Sequence, residues 1–148
     1  MSEYEIIIKL ALAAVLGGLI GLERESLSRP AGLRTYTLVC VGSALAMVVS
    51  LDMYYQYYQT VNADPGRIAA QVVSGIGFLG AGTIMREGAT VRGLTTAAGL
   101  WVVACIGLAV GAGLYIPAIV STAIILFVLI YFVKFEHYFT GMREYKGI

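Results

Sequence analysis

The sequence predicts an all-α polytopic membrane protein of five transmembrane helices, with the N-terminus outside and the C-terminus cytoplasmic. Three observations carry this. Of 148 residues, 59% are hydrophobic and only 13% charged, and the mean hydropathy is +0.82, far from the balance of a water-soluble domain. The apolar residues fall into runs close to the length of about twenty that a helix needs to cross ~30 Å of hydrocarbon. The Lys and Arg residues gather in alternate loops, as the positive-inside rule requires.

The first span is expected over residues 4–22, with Lys9 near enough to its end to snorkel toward headgroups. Its acidic start, Met1-Ser2-Glu3-Tyr4-Glu5, lacks the positive region of a signal peptide, so the segment is expected to be retained. The second span covers 35–51. The third covers 65–85, with Asp64 as N-cap and Pro65 in the first helical position. From Gly93 to Val133 no charge interrupts 41 residues, which as one helix would be roughly 60 Å long. That run must fold back, and the turn residues Gly111, Gly113 and Pro117 divide it into spans 93–111 and 115–133.

Arg24, Arg29, Arg34, Arg86, Arg92, Lys134, Arg143 and Lys146 fall on one side and only Lys9 and Arg67 on the other, which places the former inside. Tyr54, Tyr55, Tyr57 and Tyr58 then make an aromatic belt in the outer loop. Ten Lys+Arg against nine Asp+Glu leave no net field for nucleic acid. Cys40 and Cys105 lie in separate apolar runs and His137 beyond the last one, so no disulfide framework, zinc site or histidine chemistry is expected. Neither a hydrolase motif nor a pair of mid-span carboxylates occurs, and no enzyme and no cofactor are expected.

Arg24-Glu25 followed by Arg29 and Gly32-Leu33-Arg34-Thr35 resembles Arg86-Glu87 followed by Arg92 and Gly93-Leu94-Thr95-Thr96. Helices one and two thus pair with helices three and four as parallel repeats, the fifth being an addition. Gly75-Ile76-Gly77-Phe78-Leu79-Gly80 spells a dinucleotide fingerprint, but it lies within an uncharged helix with no acid some twenty residues on. Close helix packing is the better account of Gly17, Gly21, Gly75, Gly77, Gly80, Gly82, Gly107 and Gly111.

Glu23, Arg24 and Glu25 close the first helix and Arg34 opens the second, all at the inner edge. They either anchor the topology through an intra-bundle salt bridge or, with Arg92, Thr95 and Thr96, line a polar vestibule between the repeats. Thr95 and Thr96 are open to bonding their own helix carbonyls instead, and Trp101 reads as a packing residue. No metal site is assigned.

The stretch Gly17 to Glu25, the segment Ala31-Gly32-Leu33-Arg34-Thr35, and Gly75 to Gly82 followed by Val91 to Ala98 and Trp101 resemble the MgtC/SapB family of bacterial membrane proteins. The likeness covers about residues 5–133. It implies a protein of the bacterial inner membrane tied to low-magnesium adaptation and, in pathogens, to survival inside host cells; some members are credited with restraining the F-type ATP synthase. Many virulence-associated members carry a soluble C-terminal domain after the last helix and an Asn at the position of Thr95. Here Lys134 to Ile148 follow the last span, so a membrane domain alone is expected. Expected partners are the lipid bilayer, a second copy with a dimer favoured, and a membrane complex such as that synthase. A regulator acting through helix contacts leads, and a small oligomeric magnesium transporter or channel is the alternative.

Overall fold

The computed structural model describes residues 1–57 and 64–144, without the side chains of Glu87 and residues 133–144. Five helices and one hairpin follow in order: α1 (Glu3–Ser26), α2 (Leu33–Tyr57), α3 (Arg67–Gly82), β1 (Met85–Glu87), β2 (Thr90–Arg92), α4 (Leu94–Gly111) and α5 (Tyr115–Glu144). Four of the helices, α1, α2, α4 and the Tyr115–Phe132 part of α5, are long and apolar enough to cross a membrane.

The third helix is shorter than the span expected over 65–85. α3 has 16 residues and is roughly 24 Å long, short of the ~30 Å hydrocarbon layer. Its start shifts too: Asp64 accepts the Gly66 N–H at 2.8 Å in a turn before the helix, and Gly66, not Asp64, is the N-cap. Its end at Gly82 leaves room for a β-hairpin that an all-α reading misses. β1 and β2 pair antiparallel, Met85 opposite Arg92 and Glu87 opposite Thr90. The two-residue turn between them has Gly88 at φ 64°, the position where such turns favour glycine.

Two other boundaries move outward. α2 continues to Tyr57, so Tyr54, Tyr55 and Tyr57 ride on its last turns and not in a loop, with the Tyr54 and Tyr55 rings edge to face at 5.6 Å. Tyr58 and Lys146 lie outside the described residues. α5 does not stop where its apolar run ends, because Lys134 to Glu144 holds no proline and is tolerated by a helix. At the other end of the chain, Ser2 caps α1 by accepting the Glu5 N–H at 3.3 Å, the start of a capping box.

Helix directions follow from which residues meet. Gly17 faces Cys40 and Gly21 faces Leu33, so α1 and α2 are antiparallel. Gly107 faces Ser43 and Gly111 faces Met47, so α2 and α4 run parallel. α4 touches all four other helices, and α5 touches only α1 and α4 to any extent. Ser50 ties the end of α2 to the start of α3 by donating to the Pro65 carbonyl at 2.6 Å.

The centre of the bundle is α2, held between two glycine-bearing helices. A Cβ on Gly17 would come within 2.6 Å of the Cys40 Cβ, and one on Gly21 within 2.7 Å of the Leu33 Cα. From the other side, a Cβ on Gly107 would strike the Cys40 carbonyl and come within 2.8 Å of Ser43, and one on Gly111 would strike the Ala44 carbonyl. Gly99, which the sequence reading passed over, gives its space to the Tyr36 hydroxyl. Tyr36, Cys40 and Ala44 between these glycines are wholly buried. Gly80 makes ordinary contact, 3.5 Å from the Ala97 Cβ.

Gly75, Gly77 and Gly82 depart from the packing expectation. A Cβ on any of them would meet nothing within 4 Å, because none lies on the face of α3, marked by Ile76 and Gly80, that the bundle buries. Packing inside one chain therefore does not require them.

The contrast is measurable by thermal unfolding of the purified protein in detergent. Gly107→Ala forces apart α2 and α4 and should cost about 1–3 kcal/mol, the range of overpacked cores. Gly77→Leu should leave the transition where it is.

Candidate functional site

The expected polar cluster sits at the arginine-rich end of the bundle, where α1 ends, α2 and α4 begin and the hairpin projects. The structure divides its members into three groups.

The buried group is built on Arg24. Its side chain is 2% exposed, and Nη2 donates to Glu23 Oε1 at 2.7 Å while Nε donates to Oε2 of the same carboxylate. This two-pronged pairing suits the planar guanidinium. The hydroxyl of the wholly buried Tyr36 donates to the Thr96 carbonyl at 3.2 Å across to α4. α2 and the first turn of α4 are thereby joined, and the link at Thr96 runs through its backbone.

The second group is Glu25 alone. Its Oε2 accepts the Leu33 N–H at 2.7 Å, supplying the start of α2 with the acceptor that its free N–H groups need. Gly32 permits the approach, since a Cβ there would come within 2.8 Å of the same carboxylate oxygen. Glu25 is thus a cap that closes the α1–α2 loop.

The third group is outward-facing: Arg34, Arg92 and Thr95 are exposed. They stand around the buried pair and do not enter the bundle. Trp101, expected to pack, is 48% exposed and belongs to the outer surface of α4. The two Arg-Glu stretches also differ locally, the first ending a helix and the second entering a strand.

A second buried charge lies at the opposite end. Lys9 was expected to snorkel; it points back along α1 toward Glu5, 3.1 Å away, yet the bundle covers it to 2% exposure. The Glu-before-Lys spacing of four favours this pair, and the Met1 sulfur accepts from the ammonium at 3.1 Å. Sequence reasoning missed Lys9 and Tyr36 as interior polar groups because each stands in an apolar run that hides which face it shares.

The geometry is that of a bundle whose two buried charges are paired, Arg24 with Glu23 at one rim and Lys9 with Glu5 at the other. A family model, MgtC family, matches residues 10–138. The chain belongs to the MgtC family. Among curated relatives, Protein MgtC of Salmonella typhimurium strain LT2 is 51% identical over 126 residues, 85% of this chain and 52% of its own length. The protein named Putative magnesium transporter YhiD of Escherichia coli K12 is 47% identical over 127 residues, 84% of this chain and 59% of its own. An uncharacterized protein of Haemophilus influenzae is 45% identical over 122 residues, 80% of this chain and 51% of its own. This MgtC-family chain therefore spans about half to three-fifths of the length of the curated relatives it matches. No solved structure matches it.

The pairing at Arg24 makes a sharp energetic statement. Glu23→Gln leaves a buried guanidinium without its counter-charge and should cost about 3–5 kcal/mol. Adding Arg24→Met should recover most of that loss, measured as thermal stability of the single and double variants.

Proposed function

We propose that this protein is a non-catalytic, multi-pass regulator of the bacterial inner membrane, serving magnesium adaptation by lateral contact between α3 and a membrane partner. Family membership and the name of one relative, Putative magnesium transporter YhiD, supply the physiological setting. The observation that carries the mode of action is the bare side of α3. Phe78 is 84% exposed, and Gly77 beside it has open space where a Cβ would stand. At about 100° per residue, Gly77, Ser74 and Ala81 form one flank of Phe78, small enough for a partner helix to approach closely. In this reading the N-terminus is outside, the arginine-rich end is cytoplasmic, and the partner is a second copy or a larger complex such as the F-type ATP synthase.

Five of the nine acidic residues support regulation over ion passage, since a magnesium path needs oxygen ligands free to bind. Glu5 holds Lys9, Glu23 holds Arg24, Glu25 caps α2, Asp52 accepts from Gln56 at 2.7 Å and Asp64 shapes the turn before α3. Transport is kept as the second reading because one relative is named a putative magnesium transporter.

Gly77→Leu separates folding from partnership. The variant should retain native stability yet lose the protein's contribution to growth in low magnesium, and crosslinks from Phe78→Cys in native membranes should disappear when Gly77→Leu is added. Magnesium flux into liposomes that depends on the purified wild-type protein would favour transport and overturn the regulatory reading.

A further inference from the structure

A groove of about 390 Å³ opens between the α1–α2 loop, α3 and the upper part of α4, within the range of pockets that take small ligands. Ala31 and Leu100, 3% and 1% exposed, make its floor. Pro30 and Thr35 form one wall and Phe78 and Gly82 the other. The groove shares Phe78 and Ala81 with the partner face described above and extends from them toward Gly82 and Thr83, away from Gly77 and Ser74.

Depth and charge identify what fits. Leu100 lies six residues into α4 and Phe78 four residues from the end of α3, so the groove runs from the helix ends, where Pro30, Ala31 and Thr83 lie, to roughly 6–9 Å below them. With the ends at the headgroup layer, about 5–7 Å thick per leaflet, that is the level of the first methylenes of an acyl chain. At the mouth, Arg29 precedes Pro30 and Arg34 precedes Thr35, and both are exposed. Among the described residues Lys9 pairs with Glu5 and Arg24 with Glu23, and no described carboxylate pairs with either mouth guanidinium. Glu25, the nearest acid in sequence, is engaged on the Leu33 N–H. An apolar trough below two uncompensated guanidiniums matches one kind of molecule, with hydrocarbon beneath a phosphate.

We infer that this groove is a binding site for an anionic phospholipid, which lays an acyl chain over Ala31 and Leu100 and presents its phosphate to Arg29 and Arg34. Guanidinium groups take phosphate oxygens in pairs. A zwitterionic lipid carries the same phosphate but adds a cation that the two arginines repel, so selectivity for net negative headgroups follows from the same contacts.

The chain has one tryptophan, Trp101, next to Leu100 on α4 and 48% exposed, which gives a built-in reporter. The full chain is reconstituted in phosphatidylcholine vesicles doped with phosphatidylglycerol or phosphatidylcholine whose acyl chains are brominated, and Trp101 quenching is titrated. The expected result is a preference for phosphatidylglycerol on the order of tenfold, from two arginines near the surface, that weakens as salt is raised. The double variant Arg29→Gln/Arg34→Gln should quench equally with both lipids. Gly82→Leu, whose side chain has open space to enter, should fill the trough and remove the preference with both arginines present. Equal quenching by the two lipids in the native chain overturns the inference. So does a preference that survives either variant, or exclusion of both brominated lipids, as a second copy seated in the groove would produce.

Discussion

Everything in this bundle depends on how closely α1 and α4 approach the backbone of α2. Lipid offers no hydrophobic drive for one helix to seek another, so association rests on dispersion and on weak Cα–H contacts, both of which fall steeply with distance. Gly17 and Gly21 on one side and Gly99, Gly107 and Gly111 on the other remove the atoms that would hold the helices apart. Tyr36, Cys40 and Ala44 fill what remains. The other helices are added to this triplet, α3 against α2 and α4 and α5 against α1 and α4.

The triplet also explains why a full guanidinium is tolerated inside. Arg24 ends α1 where α2 and α4 begin, so the helix that carries it and the helices that cover it are fixed by the glycine contacts below. Glu23 precedes it on the same helix and brings the counter-charge at little cost in ordering. Tyr36, pinned against Gly99, ties α2 to Thr96 of α4. Lys9 with Glu5 repeats the solution at the other rim.

Much of this was legible from composition and spacing. The four long apolar helices announce themselves by length, and Gly17, Gly21, Gly107 and Gly111 by their four-residue spacing. What was hidden depends on direction. Nothing in the sequence distinguishes Gly107, which faces α2, from Gly77, which faces away, because both interrupt apolar helices and only the assembled bundle decides which side is inward. The hairpin was obscured by its shortness, three residues a strand, and by charges that read equally well as a loop. Glu25 and Glu23 are two residues apart and look interchangeable, yet one closes a turn and the other neutralises an arginine. The fifth span was expected to end near Val133, where the apolar stretch of α5 does end; hydropathy marks where lipid stops, and the helix runs on to Glu144.

That last point has a mechanical side. From Phe132 to Glu144 the helix continues without a break for roughly 18 Å, rising from an element that leans on just two neighbours. A helix of that length behaves as a mast and not as a slack cord. Any body that meets its far part is held at a set height and bearing above the bilayer, and a tilt of α5 against α1 and α4 would swing that body through an arc.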